Sequence, residues 1–191
     1  MLFAVRRCRQ IILILGFLLP SLLLAAKQPA ALILHDGPAN SGEGMIAARE
    51  AANLMGHFGY AATVLAADRY SAGQAAPFQA VFVVGMDDKS VIPAPLLADL
   101  ARREETTCWI NQCLGQLTAN PAVAERLGFT CGESDDDTGL DTVKYRGFAL
   151  PKTDEGINHL RILDPKKTEV LATASTGKES EPFVVRSGRF W

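Results

Sequence analysis

The stretch Ala31-Leu32-Ile33-Leu34-His35-Asp36-Gly37-Pro38 decides the fold class of this 191-residue chain. Four consecutive apolar residues stop at a turn-forming group, which is typical of a strand buried on both faces of a parallel sheet. The glycine-rich segment Asn40-Ser41-Gly42-Glu43-Gly44 then leads into a helical pattern over Met45–Phe58. A strand, a loop and a helix in this order predict the first half of a βαβ unit.

The same alternation continues to about residue 130. Further strands are predicted at short apolar runs, and further helices at stretches that open at proline, a favoured first helical position. The strands are Ala61–Ala67, Ala80–Gly85 and Thr106–Ile110, and the helices are Pro95–Arg103 and Pro121–Leu127. Strands that alternate with helices predict a layered α/β domain with a parallel sheet.

The pattern changes after Cys131. Four stretches that read as strands follow: Thr142–Leu150, Ile157–Leu163, Glu169–Ala174 and Pro182–Trp191. We therefore predict one α/β domain over residues 27–191, in which residues 132–191 form a β-rich annex or a set of antiparallel edge strands. Because the last strand pattern runs to Trp191, we expect the chain to be a piece of a longer protein.

Residues 1–26 have the composition of an export signal. Three arginines precede the apolar run Ile11–Ala26, whose 16 residues are fewer than the roughly 20 that span a bilayer as a helix. Leu24 stands where a cleavage site prefers a small residue, so a cleaved signal peptide and a short uncleaved anchor over residues 10–26 both remain open. With either, the folded part is expected to be periplasmic or extracellular.

The charge balance excludes one class of partner. The chain has 19 Lys+Arg and 21 Asp+Glu, and removal of residues 1–26 takes away three arginines and no acidic residue. The exported part is therefore mildly acidic, whereas nucleic-acid binders need clustered basic residues. No nucleic acid is expected as a partner, and a membrane is expected only through the N-terminal segment.

The cysteines of the exported part are Cys108, Cys113 and Cys131. An oxidising compartment makes one disulfide plausible. We expect Cys113–Cys131, because both fall in loop or helix-end segments, whereas Cys108 lies in an apolar strand. Their spacing, without a nearby histidine, does not fit a zinc site, and no metal or other cofactor is expected.

Two loops follow predicted parallel strands, at the edge where ligands collect in open α/β sheets. The candidate ligand-binding residues are His35, Asp36, Asn40 and Ser41 in the first loop, and Asp87 and Asp88 in the second. The alternative for the first loop is a glycine-rich connection whose Asp and Ser cap backbone donors, and for the second a solvated acidic turn. No catalytic residue is assigned, because no phosphate-binding motif, nucleophile elbow or paired histidines are present.

Five stretches occur in an order that resembles the N-terminal region of exported polysaccharide-deacetylase-like proteins. They are Ala31–Gly37, Asn53–Phe58, Val81–Gly85, Cys108–Gln112 and Pro182–Trp191. In that family a flavodoxin-like or glutamine-amidotransferase-like domain precedes a metal-dependent deacetylase barrel. The resemblance implies a three-layer domain of flavodoxin-like or amidotransferase-like form.

The chain departs from the family's catalytic motifs. It lacks the metal-binding aspartate motif and the histidine pair of the barrel, and the cysteine elbow of amidotransferases is not recognisable. The resemblance therefore implies a noncatalytic accessory domain in carbohydrate or envelope polysaccharide metabolism, with a polysaccharide or the deacetylase catalytic domain as partner. A free-standing exported domain that binds a small ligand is the alternative, and an enzymatic activity of the chain itself stays open.

Overall fold

The computed structural model describes residues 28–37, 42–135, 138–153 and 156–191. The first part of the chain contains four parallel strands that form one sheet. Their order is β2-β1-β3-β4, with β1 Ala30–His35, β2 Ala61–Ala66, β3 Ala80–Gly85 and β4 Thr106–Asn111. Residues 31–35 of β1 are all buried, as its unbroken apolar run predicts. The segment predicted as a signal or anchor lies outside the described residues, among which no helix is long and apolar enough to cross a bilayer.

Helices cover both faces of this sheet. Helix α1 (Glu43–His57) packs on one face, where Ile33 and Val84 meet Ala48. The other face carries α2 (Ala94–Arg102), α3 (Leu114–Thr118) and α4 (Pro121–Leu127), which share a larger core with Leu32, Leu34, Val81 and Val83. Successive strand residues point to opposite faces, so one apolar run supplies both cores. The predicted three-layer α/β class is confirmed.

Helix α1 lies against the sheet through small residues. Gly44 and Ala48 are its buried positions, and Ala51 and Ala52 pack beside them. Three larger apolar side chains of the segment point outward and are more than half exposed: Ile46, Leu54 and Phe58. The apolar spacing predicted the helix correctly. The face that packs on the sheet, however, consists of glycine and alanine, and these larger side chains lie on the other faces of the helix.

The second half of the chain is a β-rich annex, as predicted. Strands β5 (Phe129–Asp135) and β8 (Ile157–Ile162) pair antiparallel with each other. A four-stranded antiparallel sheet has the order β10-β9-β6-β7 and comprises β6 Thr142–Tyr145, β7 Phe148–Pro151, β9 Thr168–Ser175 and β10 Ser180–Ser187. The single strand predicted over Thr142–Leu150 is a hairpin, because Arg146 and Gly147 both adopt positive φ, 47° and 85°.

The annex and the parallel sheet meet at β4. The rings of Phe129 and Phe190 lie 6.0 Å apart and belong to the same apolar core as β1 and β3. After β10 and a turn, Arg189–Trp191 run parallel to β4, where the Thr107 N–H donates to the Arg189 carbonyl at 3.0 Å and the Trp109 N–H to the Trp191 carbonyl at 2.8 Å. Arg189–Trp191 therefore pair with the parallel sheet formed by β1 to β4.

Candidate functional site

The loops after β1 and β3 are held together by the Asp36 carboxylate. Oxygen Oδ2 of Asp36 accepts the backbone N–H groups of Met86 and Asp87, both at 2.7 Å. The preceding residue, His35, is buried and donates from Nδ1 to the Asp36 carbonyl at 2.7 Å. The sequence prediction that these two loops share one edge of the sheet is confirmed, and the contact between them is a hydrogen-bonded bridge.

The other oxygen of Asp36 lies against the first turn of α1. A Cβ atom placed on Gly44 would come within 2.3 Å of Asp36 Oδ1 and within 2.8 Å of the Asp36 carbonyl oxygen. Only glycine allows this close approach, which brings the carboxylate to the positive end of the helix dipole. Asp36 therefore joins three elements, β1, the β3 loop and α1, and both of its carboxylate oxygens lie against protein groups.

The remaining candidates have different surroundings. Asp87 is exposed and its Oδ1 accepts the Lys89 N–H at 2.9 Å, while Asp88 is exposed on the same loop. Asn40 and Ser41 lie outside the described residues. Within the described residues, no group of three His, Cys, Asp or Glu side chains is arranged to hold a metal ion. His35, Asp36 and Asp87 therefore lie close together at this edge, and the Asp36 carboxylate accepts hydrogen bonds from backbone N–H groups.

A third loop at this edge links β4 to α3 and was not recognised from sequence. Cys113 adopts a left-handed backbone, φ 69° and ψ 1°, immediately before the helix. The chain therefore turns from β4 into α3 through a left-handed residue. The residues Asn111-Gln112-Cys113 carry no local signal for it, because positive φ at non-glycine residues depends on surrounding contacts.

The Cys113 thiol is not activated. It lies 3.2 Å from the Asp87 carbonyl oxygen and 3.4 Å from that of Ser90, and it donates to them. Burial, with a smaller contribution from the neighbouring carboxylates, Asp36 foremost, raises the pKa of Cys113 to about 11. A thiolate is the nucleophilic form of cysteine, so this side chain is a protonated hydrogen-bond donor at neutral pH.

The disulfide expected between Cys113 and Cys131 is not formed, and Cys108 is free as well. Cys113 donates toward the β3 loop, whereas the Cys131 sulfur, on β5, lies 3.5 Å from the Gly132 carbonyl oxygen. The two thiols are thus engaged with different parts of the backbone. The expectation placed both residues in loop or helix-end segments; Cys113 does precede a helix, but Cys131 is in a strand that pairs with β8.

A separate cleft of about 810 Å³ opens along the outer edge of β4. We call it the β4-edge cleft; besides Thr106 and Cys108–Asn111 of β4, its lining includes Phe129, Leu160, Phe183, Val184, Phe190 and Trp191. Several of these apolar side chains are substantially exposed, with Val184 at 40% and Trp191 at 41%. Their grouping forms a contiguous apolar surface, which in soluble proteins marks a ligand or protein contact.

The lining of the β4-edge cleft is mostly apolar and contains both tryptophans of the chain. Among the described residues that line it there is no Asp, Glu, Lys, Arg or His. Trp109 is buried and donates from Nε1 to the Gln112 carbonyl at 2.7 Å, while the Trp191 ring lies 5.1 Å beneath the Arg186 guanidinium. The sequence analysis did not identify this cleft, because its residues come from β3, β4, α3, β5, β8, β10 and the segment after β10, most of which are far apart along the chain.

The fold is similar to that of solved ThuA-like proteins. A ThuA-like protein from Bacteroides uniformis superposes with a TM-score of 0.55 at 12% sequence identity, over 86% of this chain and 80% of that one. A ThuA-like protein from Parabacteroides merdae gives a TM-score of 0.45 at 12% identity, over 85% and 76%. No protein-family model and no curated protein matches the sequence. At this identity the first likeness shows a shared fold alone.

Proposed function

We propose that the chain is a noncatalytic accessory domain of an exported polysaccharide-deacetylase-like protein, acting in carbohydrate or envelope polysaccharide metabolism. The arginine-led apolar segment over residues 1–26 supports export. The proposed relation to this family rests on the five stretches of sequence that resemble its N-terminal region. The single observation that carries a binding role is the largely apolar β4-edge cleft.

The lining of the cleft favours a protein partner over a polysaccharide. A sugar chain presents many hydroxyl groups, and each one that is buried needs a hydrogen-bond partner. Among the described lining residues, three side chains are amides or hydroxyls: Thr106, Asn111 and Asn158. Apolar and aromatic walls instead match the buried centre of a protein interface. Of the two partners considered, the deacetylase catalytic domain is therefore the one we propose.

The edge of the parallel sheet that carries Asp36, Asp87 and Cys113, which we call the strand-end edge, supports a noncatalytic role. A general base or metal ligand needs a free carboxylate oxygen, whereas Asp36 Oδ2 accepts two backbone N–H groups and Oδ1 abuts Gly44. A cysteine nucleophile needs a lowered pKa, whereas the pKa of Cys113 is raised to about 11. The groups that would perform chemistry at this edge hold the loops in place instead.

The test uses the two tryptophans, since both line the cleft. The 191-residue chain is labelled with 5-fluorotryptophan, and its two ¹⁹F signals are followed while an unlabelled catalytic domain of an exported polysaccharide-deacetylase-like protein is added. We expect both signals to shift and saturate. Val184→Lys, which places a charge in the cleft, is expected to abolish the shift, whereas Val170→Lys, at an equally exposed valine outside the cleft, is not.

Two results would overturn the proposal. One is the absence of any ¹⁹F change with the catalytic domain and with an N-acetylglucosamine pentamer. The other is release of acetate from that pentamer by the chain alone. A shift caused by the pentamer and not by the catalytic domain would keep the accessory role and replace the protein partner by the polysaccharide.

A free-standing domain that binds a small ligand is the second candidate, and the size of the cleft favours it. Small-molecule sites commonly enclose about 300–1,000 Å³ with mostly apolar walls, and the β4-edge cleft has about 810 Å³. An apolar probe, 8-anilinonaphthalene-1-sulfonate, separates the candidates. Tight binding of one probe per chain, with no response to the catalytic domain, would support the small-ligand function.

A further inference from the structure

We infer that the C-terminal end of helix α1 contacts the surface of a phospholipid bilayer, into which Leu54 and Phe58 insert. The bilayer is the one that holds the apolar segment over residues 10–26, so the inference takes the uncleaved anchor of the two alternatives that the sequence leaves open. Leu24, at the position where a cleavage site prefers a small residue, favours that alternative. The inference rests on the export part of the proposed function and does not depend on the deacetylase partner.

The described chain enters the parallel sheet beside the end of α1. The Ala61 N–H, at the start of β2, donates to the carbonyl of Pro29, which directly precedes β1, at 2.8 Å. The Tyr60 N–H donates to the Met55 carbonyl at 3.0 Å and so ties the turn between α1 and β2 to the last turn of the helix. Phe58, the C-cap of α1, therefore lies at the same edge of the sheet as the start of β1.

The predicted anchor ends close to this point. Its apolar run stops at Ala26, and the described residues begin at Gln28. An extended chain spans at most about 3.6 Å per residue, so the step from Ala26 to Gln28 covers no more than about 7 Å. A bilayer that holds the apolar run therefore comes within reach of the side chains at the end of α1.

These side chains suit contact with lipid. Leu54 and Phe58 are four residues apart, so they lie on one side of the helix end, and they are 56% and 69% exposed. Residues 51–62 contain no Asp, Glu, Lys or Arg, so the contact removes none of these charges from water. Apolar side chains on a helix at a membrane surface are buried at the boundary between headgroups and acyl chains. Leu54 and Phe58 can insert there without rearrangement of the core.

This contact sets the orientation of the domain. The strand-end edge lies at the opposite ends of the same parallel strands, so it faces away from the bilayer. The strand order β2-β1-β3-β4 separates β4 from β2 by two strands, and α1 packs on the face formed by β1 and its neighbours. The β4-edge cleft is therefore left accessible to a partner.

Photocrosslinking to lipid tests the inference. The full 191-residue chain, with the photoreactive residue p-benzoylphenylalanine in place of Phe58, is reconstituted in vesicles of phosphatidylethanolamine and phosphatidylglycerol. Mass spectrometry after irradiation measures the fraction of chains that gain one phospholipid. The control carries the same residue in place of Phe148, which is also 69% exposed but lies on β7. We expect about tenfold more lipid adduct at position 58 than at position 148.

A charge beside Phe58 should weaken the contact. Leu54→Glu, introduced together with the photoreactive residue at position 58, places a carboxylate against anionic headgroups, and we expect the adduct to fall about fivefold. Leu150→Glu is the matched control, because Leu150 is 54% exposed and lies on β7. This second variant should leave the adduct at position 58 unchanged.

The outcomes separate this inference from the proposed function. An adduct at position 58 that exceeds the control and falls in Leu54→Glu supports the inference. Equal adducts at the two positions, or none at position 58, overturn it, as does recovery of a chain without residues 1–26 from the membranes of an expressing bacterium. Tryptophan ¹⁹F signals that shift with the catalytic domain, while position 58 gives no adduct, overturn the inference alone. An adduct at position 58 without any ¹⁹F shift supports the inference while the protein partner fails.

Discussion

At the scale of single residues, Asp36 shows how one buried carboxylate can fix the edge of a sheet. The side chain is only 6% exposed, and it accepts two backbone N–H groups from the loop after β3. Each hydrogen bond to a charged acceptor contributes more than one between neutral groups. A residue placed by sequence reasoning among ligand-binding candidates is therefore also the main connection between two loops.

Replacing this carboxylate should cost much of the stability of the chain. Asp36→Ala leaves the Met86 and Asp87 amides without their acceptor, and we expect the free energy of unfolding to fall by about 2–4 kcal/mol. Asp88→Ala, at an exposed position of the same loop, should change it by less than about 0.5 kcal/mol. Urea unfolding of both variants measures the difference, and equal effects would show that the bridge contributes little.

At the scale of elements, the seating of α1 depends on the absence of a side chain at Gly44. In Gly44→Ala the new Cβ would meet Asp36 Oδ1 at 2.3 Å, so the helix or the loop must shift. We expect a loss of about 1–3 kcal/mol in the free energy of unfolding, typical of overpacking. Gly56→Ala is the control in the same helix, since its Cβ meets nothing within 4 Å and should stabilise by up to about 1 kcal/mol. A stabilising Gly44→Ala would contradict this account.

Elements with a strong local pattern were predictable from the sequence. Strand β3 and helix α4 begin and end where predicted. An apolar run marks the strand, and a proline at the first position and a glycine after the last mark the helix, so local sequence alone defines both. The five-residue helix α3 and the β6–β7 hairpin were missed, since each depends on left-handed residues, Cys113 and Arg146, whose conformation is set by neighbours. At the strand-end edge, the rule that parallel strands end on the same side of a sheet predicted that Asp36 lies near Asp87. The sequence did not predict that the Asp36 carboxylate accepts hydrogen bonds from backbone amides.

At the scale of the whole molecule, the β4-edge cleft exists because the annex folds back onto the parallel sheet. Trp109 comes from the middle of the chain and Trp191 from its last residue, and the strand pairing of Arg189–Trp191 brings them to one surface. No periodicity within either segment could indicate that meeting. The proposed binding role is thus a property of the assembled layers, whereas the strand-end edge belongs to the first half of the chain.

The same assembly buries one free thiol and partly buries two more, which predicts a loss of stability at alkaline pH. Burial raises the pKa of Cys108, Cys113 and Cys131 from the ordinary thiol value of 9.0 to about 11. Between about pH 9 and 11 the unfolded chain releases these protons while the folded chain keeps them, so the free energy of unfolding falls as pH rises. Urea unfolding at pH 8, 9, 10 and 11 measures the slope. Cys108→Ala should make the slope shallower, because one proton fewer is involved, and a flat profile up to pH 10.5 would refute the prediction.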